Sequence, residues 1–166
     1  KFDTRSTITI YNELKKTNKD IVFSISPQLF KKEGIYSLSG ISNSETIFCN
    51  ENGYQAFYKS DRYGFNNPDD QWDNKEIEYF LLGDSFVHGQ CVNRPNDLAS
   101  VLRTISKKRA VNLGFRGLGP LHEYAILREY IRPGVKNILW FYYENSDLMD
   151  LESNLKKPIL KKYLES

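Results

Sequence analysis

Histidine, cysteine and methionine are scarce in this chain: two, two and one among 166 residues. Neither cysteine belongs to a C-x-x-C pair, so a zinc centre is not expected. No apolar run approaches the roughly 20 residues that cross a bilayer; the longest, 79–82 and 138–143, have strand length. Charge of one sign is missing as well. The 23 basic and 21 acidic residues nearly cancel, and the lysines come as scattered pairs such as Lys15-Lys16 and Lys107-Lys108 rather than as a stripe. Nucleic acid is therefore not an expected partner. The chain opens on Lys1 with no Met and no signal-peptide pattern, which reads as a mature or trimmed product.

What is present suffices for a real core: 40% apolar and 14% aromatic residues, in a chain sized for one domain or a core plus an appendage. Cys49 and Cys91 admit two states. They are either free, partly buried thiols or a disulfide tying the N-terminal segment to the loop after residue 85, and a disulfide would point to an extracytoplasmic or membrane-tethered protein.

The chain divides near residue 75. Residues 1–75 are irregular, with a helix expected over Thr7–Lys16 and a hairpin with arms Thr46–Cys49 and Gln55–Tyr58 around Asn50-Glu51-Asn52-Gly53, since Asn-Gly tolerates positive φ. Asp61–Asp69 reads as an ordered loop. Asp69, Asp70, Asp73 and Glu76, with Asn66 and Asn67, lack EF-hand spacing and read as a solvated linker rather than a Ca²⁺ site. From residue 76 a regular alternation begins: strand Ile77–Leu82, helix Pro95–Lys107, strand Ala110–Leu113, helix Leu118–Ile131, strand Asn137–Tyr143 and a last helix over 155–165. Leu98, Val101, Leu102 and Ile105 form one apolar helical stripe. Strand–helix repeats with short links mean right-handed crossovers and a parallel sheet. With three strands countable, one edge is left for the N-terminal segment, a partner chain or further sequence to cover.

In open parallel sheets ligands gather beyond the carboxyl ends of the strands. The three ends here read Gly83-Asp84-Ser85, Asn112-Leu113-Gly114-Phe115-Arg116-Gly117 and Glu144-Asn145-Ser146-Asp147. A hydroxyl at a strand-to-helix turn is a common way to present a nucleophile, and its bland counterpart is a Ser that caps the helix. These three blocks, in this order, resemble those of the SGNH (GDSL-type) hydrolase superfamily over about residues 76–151. The resemblance implies an α/β, three-layer, flavodoxin-like parallel sheet, partial in this chain, preceded by an irregular α+β N-terminal segment. It implies Ser85 as nucleophile and the N–H groups of Ser85 and Gly117 as oxyanion donors, with Asp84 fixing its loop.

Two departures accompany it. The family's third block supplies an Asn donor where this chain has Ser146, with Asn145 one residue early. Its general base is a His in a later Asp-x-x-His block that these residues lack. His88 and His122 are the only histidines, candidates for the site and its mouth, and Arg116 is a candidate anion contact. The implied activity is an ester hydrolase, a carbohydrate O-acyl esterase or an acyltransferase, inactive without its base. An ester or acylated carbohydrate is then the substrate, and no metal or organic cofactor is implied. The alternative is a non-catalytic carbohydrate-binding or assembly domain that keeps the fold.

Overall fold

The computed structural model describes residues 2–29, 31–32, 35–51 and 53–165, and within them the chain is a mixed α/β protein with small, partly parallel sheets. In the N-terminal segment, α1 (Thr7–Leu14) starts at Ser6, whose hydroxyl accepts from Thr9 N–H, and buries Ile10 against Ile21 and Ile47. Strand β1 (Val22–Phe23) and the antiparallel pair β2 (Lys31–Lys32) and β3 (Ile35–Tyr36) come next. The expected hairpin is β4 (Glu45–Ile47) with β5 (Phe57–Lys59), and β1 pairs parallel to β4 on the other side. Phe48 N–H to Ala56 O and Ala56 N–H to Cys49 O carry the ladder toward the turn. Asn52 of the expected turn lies outside the described residues; Asn50 Oδ1 accepts from Gly53 N–H at 2.9 Å, and Gly53 takes φ +77°.

Cys49 and Cys91 are joined as a disulfide, so the hairpin loop is bolted to the segment after Ser85. Closing a loop of this length removes chain entropy from the unfolded state. Reduction is expected to lower stability by about 2–4 kcal/mol, measured as the shift in urea midpoint with and without dithiothreitol.

The second half begins with β6 (Ile77–Leu82), then α2 (Ser85–His88), α3 (Leu98–Ser106), β7 (Ala110–Asn112), α4 (Pro120–Tyr130), β8 (Val135–Trp140), α5 (Asp147–Leu155) and α6 (Pro158–Lys161). Strand β6 is central, parallel to β7 on one side and to β8 on the other. Phe80 and Leu82 pack with Val111, Leu113 and Ile126 on the α4 side, and Leu81 packs with Val87 and Ala99 on the α3 side. A strand covered on both faces must be apolar throughout, which makes this run readable. Helix α3 begins at Leu98 rather than Pro95, because Asp97 Oδ1 accepts from Ser100 N–H and sets the cap. Strand β8 starts two residues before the expected Asn137 and stops at Trp140. Helix α5 occupies a stretch in which no helix is expected before residue 155.

The expected linker is partly a buried plug. Asn66 and Asn67 are fully buried. The Asn67 side chain accepts from Asn112 N–H and donates to Asn112 O, both at 2.8 Å, so its amide stands in for a neighbouring strand at the β7 edge. The acidic residues after them are exposed, and Arg62 pairs with Asp69 and Asp73. At the other edge, β8 keeps Ile138 and Trp140 nearly half exposed.

Candidate functional site

A glycine and a helix cap end strand β6. At Gly83 a Cβ would lie 2.5 Å from Val87 Cγ2 and 3.3 Å from Phe141 Cβ, so only glycine fits. Asp84 then caps α2, its Oδ1 accepting from Phe86 N–H at 2.9 Å. The cap is therefore Asp84, and Ser85 is the first helical residue. Ser85 is half-buried, has no hydrogen-bonding partner for its hydroxyl among the described residues, and lines a cavity of about 330 Å³ with Phe86, Gln90 and Val92. The helix ends after one turn at Gly89, φ +75°, where a Cβ would press on Asp97.

The other two strand ends dock on this turn. Phe115 N–H donates to Gly83 O at 3.2 Å, and Phe141 N–H donates to Leu82 O at 2.9 Å. Gly114 sits against Val87, where a Cβ would approach to 2.6 Å. The Phe86 and Tyr143 rings lie 5.3 Å apart, joining the first turn to the third. Gly117 is exposed with φ +70°, and Ser26 Oγ lies 2.8 Å from where its Cβ would be. Ser26 thus belongs to the site's surroundings, and nothing in its own sequence neighbourhood announces it.

The third turn does not reach Ser85 with its polar side chains. Asn145 is exposed and donates to Tyr143 Oη at 3.0 Å. Ser146 is the N-cap residue of α5 without a side-chain capping bond. Asp147 holds this loop, with Oδ2 accepting from Tyr143 N–H at 2.6 Å. Neither Asn145 nor Ser146 is hydrogen-bonded to the Ser85 turn among the described residues. The Arg116 guanidinium rests 5.9 Å from the centre of the Phe48 ring, a contact with the N-terminal segment.

Both histidines are corrected by the structure: each is fully buried, and neither lines a mouth. His88 Nδ1 accepts from Arg116 N–H at 3.1 Å, which leaves Nε2–H to donate to Tyr58 Oη at 3.1 Å. Its ring stacks on Phe115, 4.2 Å between centres. His88 therefore ties α2 to the second turn instead of reaching substrate. His122 Nε2–H donates to Ser37 O at 3.2 Å, and its ring packs on Tyr36. Glu123 is buried beside it, with Oε2 accepting from Trp140 Nε1–H at 2.6 Å. As for metals, Cys49, Glu51 and Cys91 are the one group of such ligand types gathered within 4.8 Å among the described residues. Its sulfurs are already bonded to each other.

Burial governs the titration of these groups. It drives His88 down to about 3 and His122 down to about 4, each from 6.5. It pushes the Glu123 carboxyl from 4.5 up to about 8; the Trp140 donor opposes this, and Asp147, Asp84 and Asp150 add repulsion. Below pH 6.5 the unfolded chain binds protons that the folded histidines refuse, so stability falls as pH drops toward 3–4. Between pH 4.5 and about 8 folded Glu123 keeps a proton the unfolded chain has lost, so stability falls as pH rises. Each group contributes a slope of at most about 1.4 kcal/mol per pH unit. Two histidines outweigh one glutamate below 6.5, and the glutamate acts alone above it. From these three groups, the melting temperature is expected to peak near pH 6.5, and Glu123→Gln is expected to flatten the alkaline limb. Thermal melts across pH check both.

No family model matches this chain, and no curated protein or solved structure matches it either.

Proposed function

We propose that this chain is the core of an SGNH-type serine hydrolase of flavodoxin-like architecture, acting on an ester of an O-acylated carbohydrate. The observation supporting it is the meeting of three turns at the carboxyl ends of three parallel strands, with Ser85 opening a helix at the central one. In this reading Ser85 Oγ attacks the acyl carbonyl. The N–H groups of Ser85 and Gly117 donate to the resulting oxyanion, each such donor being worth roughly 3 kcal/mol in the transition state. Collapse expels the alcohol and leaves acyl-Ser85, which passes its acyl group to water or to a sugar hydroxyl.

The Ser85 proton needs an acceptor, and general-base help is worth about 10²–10⁴-fold. Since His88 and His122 are buried and bonded elsewhere, the base in this proposal comes from outside the described residues. Without that base residues 1–166 alone are expected to be nearly inactive, whereas the protein isolated from the cells that make it is expected to release p-nitrophenolate from p-nitrophenyl acetate in a burst matching its molar concentration, and then in slower turnover. A linear release at the buffer rate would contradict this reading.

The engagement of both histidines favours a second reading, a non-catalytic carbohydrate-binding or assembly domain that keeps the groove without the chemistry. It predicts no burst and saturable glycan binding that Ser85→Ala leaves intact.

A further inference from the structure

A larger cavity lies away from Ser85, on the N-terminal segment. It measures about 710 Å³ and runs over β4 and β5 between the loop after α1 and the loop before α3. Its size falls in the range of small-molecule sites, roughly 300–1,000 Å³. Glu45 and Lys59, directly opposite each other across the strand pair, lie on its floor beside Phe57. Asn18 and Asp20 form one wall, Asn93 and Arg94 the other, and Asn43 stands at the rim.

The walls are fixed before any ligand arrives. Asn18 Nδ2 donates to Glu45 Oε2 at 2.8 Å, and Asn18 Oδ1 accepts from Asp20 N–H at 2.9 Å. Asn93 Oδ1 accepts from Phe57 N–H at 2.8 Å, and Arg94 Nη2 donates to Lys59 O at 2.9 Å. Other groups are left over: the Asn43 side-chain amide, Asn93 Nδ2, the Asp20 carboxylate, Glu45 Oε1 and Lys59 Nζ have no hydrogen-bonding partner among the described residues, while Asn43 N–H donates to Asp61 O at 3.0 Å. Asn43 also holds φ +53°, a conformation few residues other than glycine adopt, and asparagine is among those that do.

The chemistry of this set selects its ligand. Two carboxylates and two cations cancel, so the cleft offers no net field for a polyanion or a polycation. Apolar surface makes up about half of the lining, but seven of its nine residues are polar or charged, so a ligand must satisfy both. What remains is a dense set of donors and acceptors on preorganised walls, beside an aromatic residue. We infer that this cleft binds a neutral oligosaccharide, its hydroxyl groups taken by Asn43, Asn93, Asp20 and Glu45. The inference does not depend on Ser85 chemistry, although the loop carrying Asn93 also supplies Val92 and Asn96 to the cavity beside Ser85.

The test is a titration of the ¹⁵N-labelled protein with cellohexaose, chitohexaose and laminarihexaose, and separately with a sulfated heparin hexasaccharide. At least one neutral hexasaccharide is expected to shift the Asn43, Lys59 and Asn93 amides saturably. Asp20→Ala combined with Asn43→Gly, which keeps positive φ accessible, is expected to weaken that binding about tenfold or more by removing two hydrogen-bonding groups. Ser85→Ala is expected to leave it unchanged, which separates failure here from failure of the hydrolase proposal. Three outcomes would overturn the inference: no shift with any neutral hexasaccharide, equal affinity in a folded double variant, or binding of the sulfated hexasaccharide alone.

Discussion

With its base supplied, the protein is expected to hydrolyse p-nitrophenyl acetate about 10³-fold or more slowly once Ser85→Ala is made, with the fold left intact. The first half rests on the proposed chemistry, because losing a nucleophile removes the acyl-enzyme route and leaves only oxyanion stabilisation and binding. The second half rests on the geometry. Ser85 Oγ has no hydrogen-bonding partner among the described residues, and Asp84, not Ser85, caps the helix. Alanine suits a helical position at least as well as serine. Its effect on stability is therefore expected to stay within about 0.5 kcal/mol, as for substitutions that break no specific contact. Parallel rate measurements and urea melts on both proteins would show activity and stability parting company. Retained hydrolysis in the variant would remove Ser85 from the chemistry.

Asp61→Ala should do the opposite, strongly destabilising the fold with no part in the reaction. Asp61 is fully buried. Its Oδ1 accepts from Tyr63 and Phe65 N–H, both at 2.9 Å, and its Oδ2 accepts from Asn67 Nδ2 at 2.8 Å and Trp72 Nε1 at 2.7 Å. Burial still pushes its carboxyl upward despite these donors. Removing the side chain leaves four donors facing a gap, and it loosens the same Asn67 amide that closes the β7 edge. A loss of about 3–5 kcal/mol is expected, a large part of what a domain of this size has to spare. Asp61→Asn should also be costly, because its NH₂ would face donors. Urea denaturation followed by tryptophan fluorescence reads both, and an unchanged midpoint would refute the hub role.

How much is legible depends on whether the signal is local. The central strand, Ile77–Leu82, is readable because burial on both faces leaves an unbroken apolar run. Strand β8 is misplaced for a related reason. Apolar residues continue through Phe141-Tyr142-Tyr143 after the ladder has stopped, and those three rings are exposed in the third turn. Helix α5 carries four apolar residues, but Leu148, Met149 and Leu155 are exposed and its fully or nearly buried side chains are Asp147 and Asn154, so no buried apolar face marks it. The histidines are misjudged because their partners are remote: Tyr58 precedes His88 by 30 positions, and Ser37 precedes His122 by 85. Asn66 and Asn67 look like linker residues by type, and only the tertiary structure reveals them as buried supports. The state of Cys49 and Cys91 is likewise undecidable until the hairpin and the loop after α2 are seen side by side.

The most direct measurement is a peptide map of the protein, isolated from the cells that make it, after treatment with a fluorophosphonate ester. One adduct per chain is predicted, on the serine that opens the helix after the central strand. It should be absent from heat-unfolded protein and from the Ser85→Ala variant. A native protein that takes up no phosphonate, or takes it up at another residue, would contradict the account.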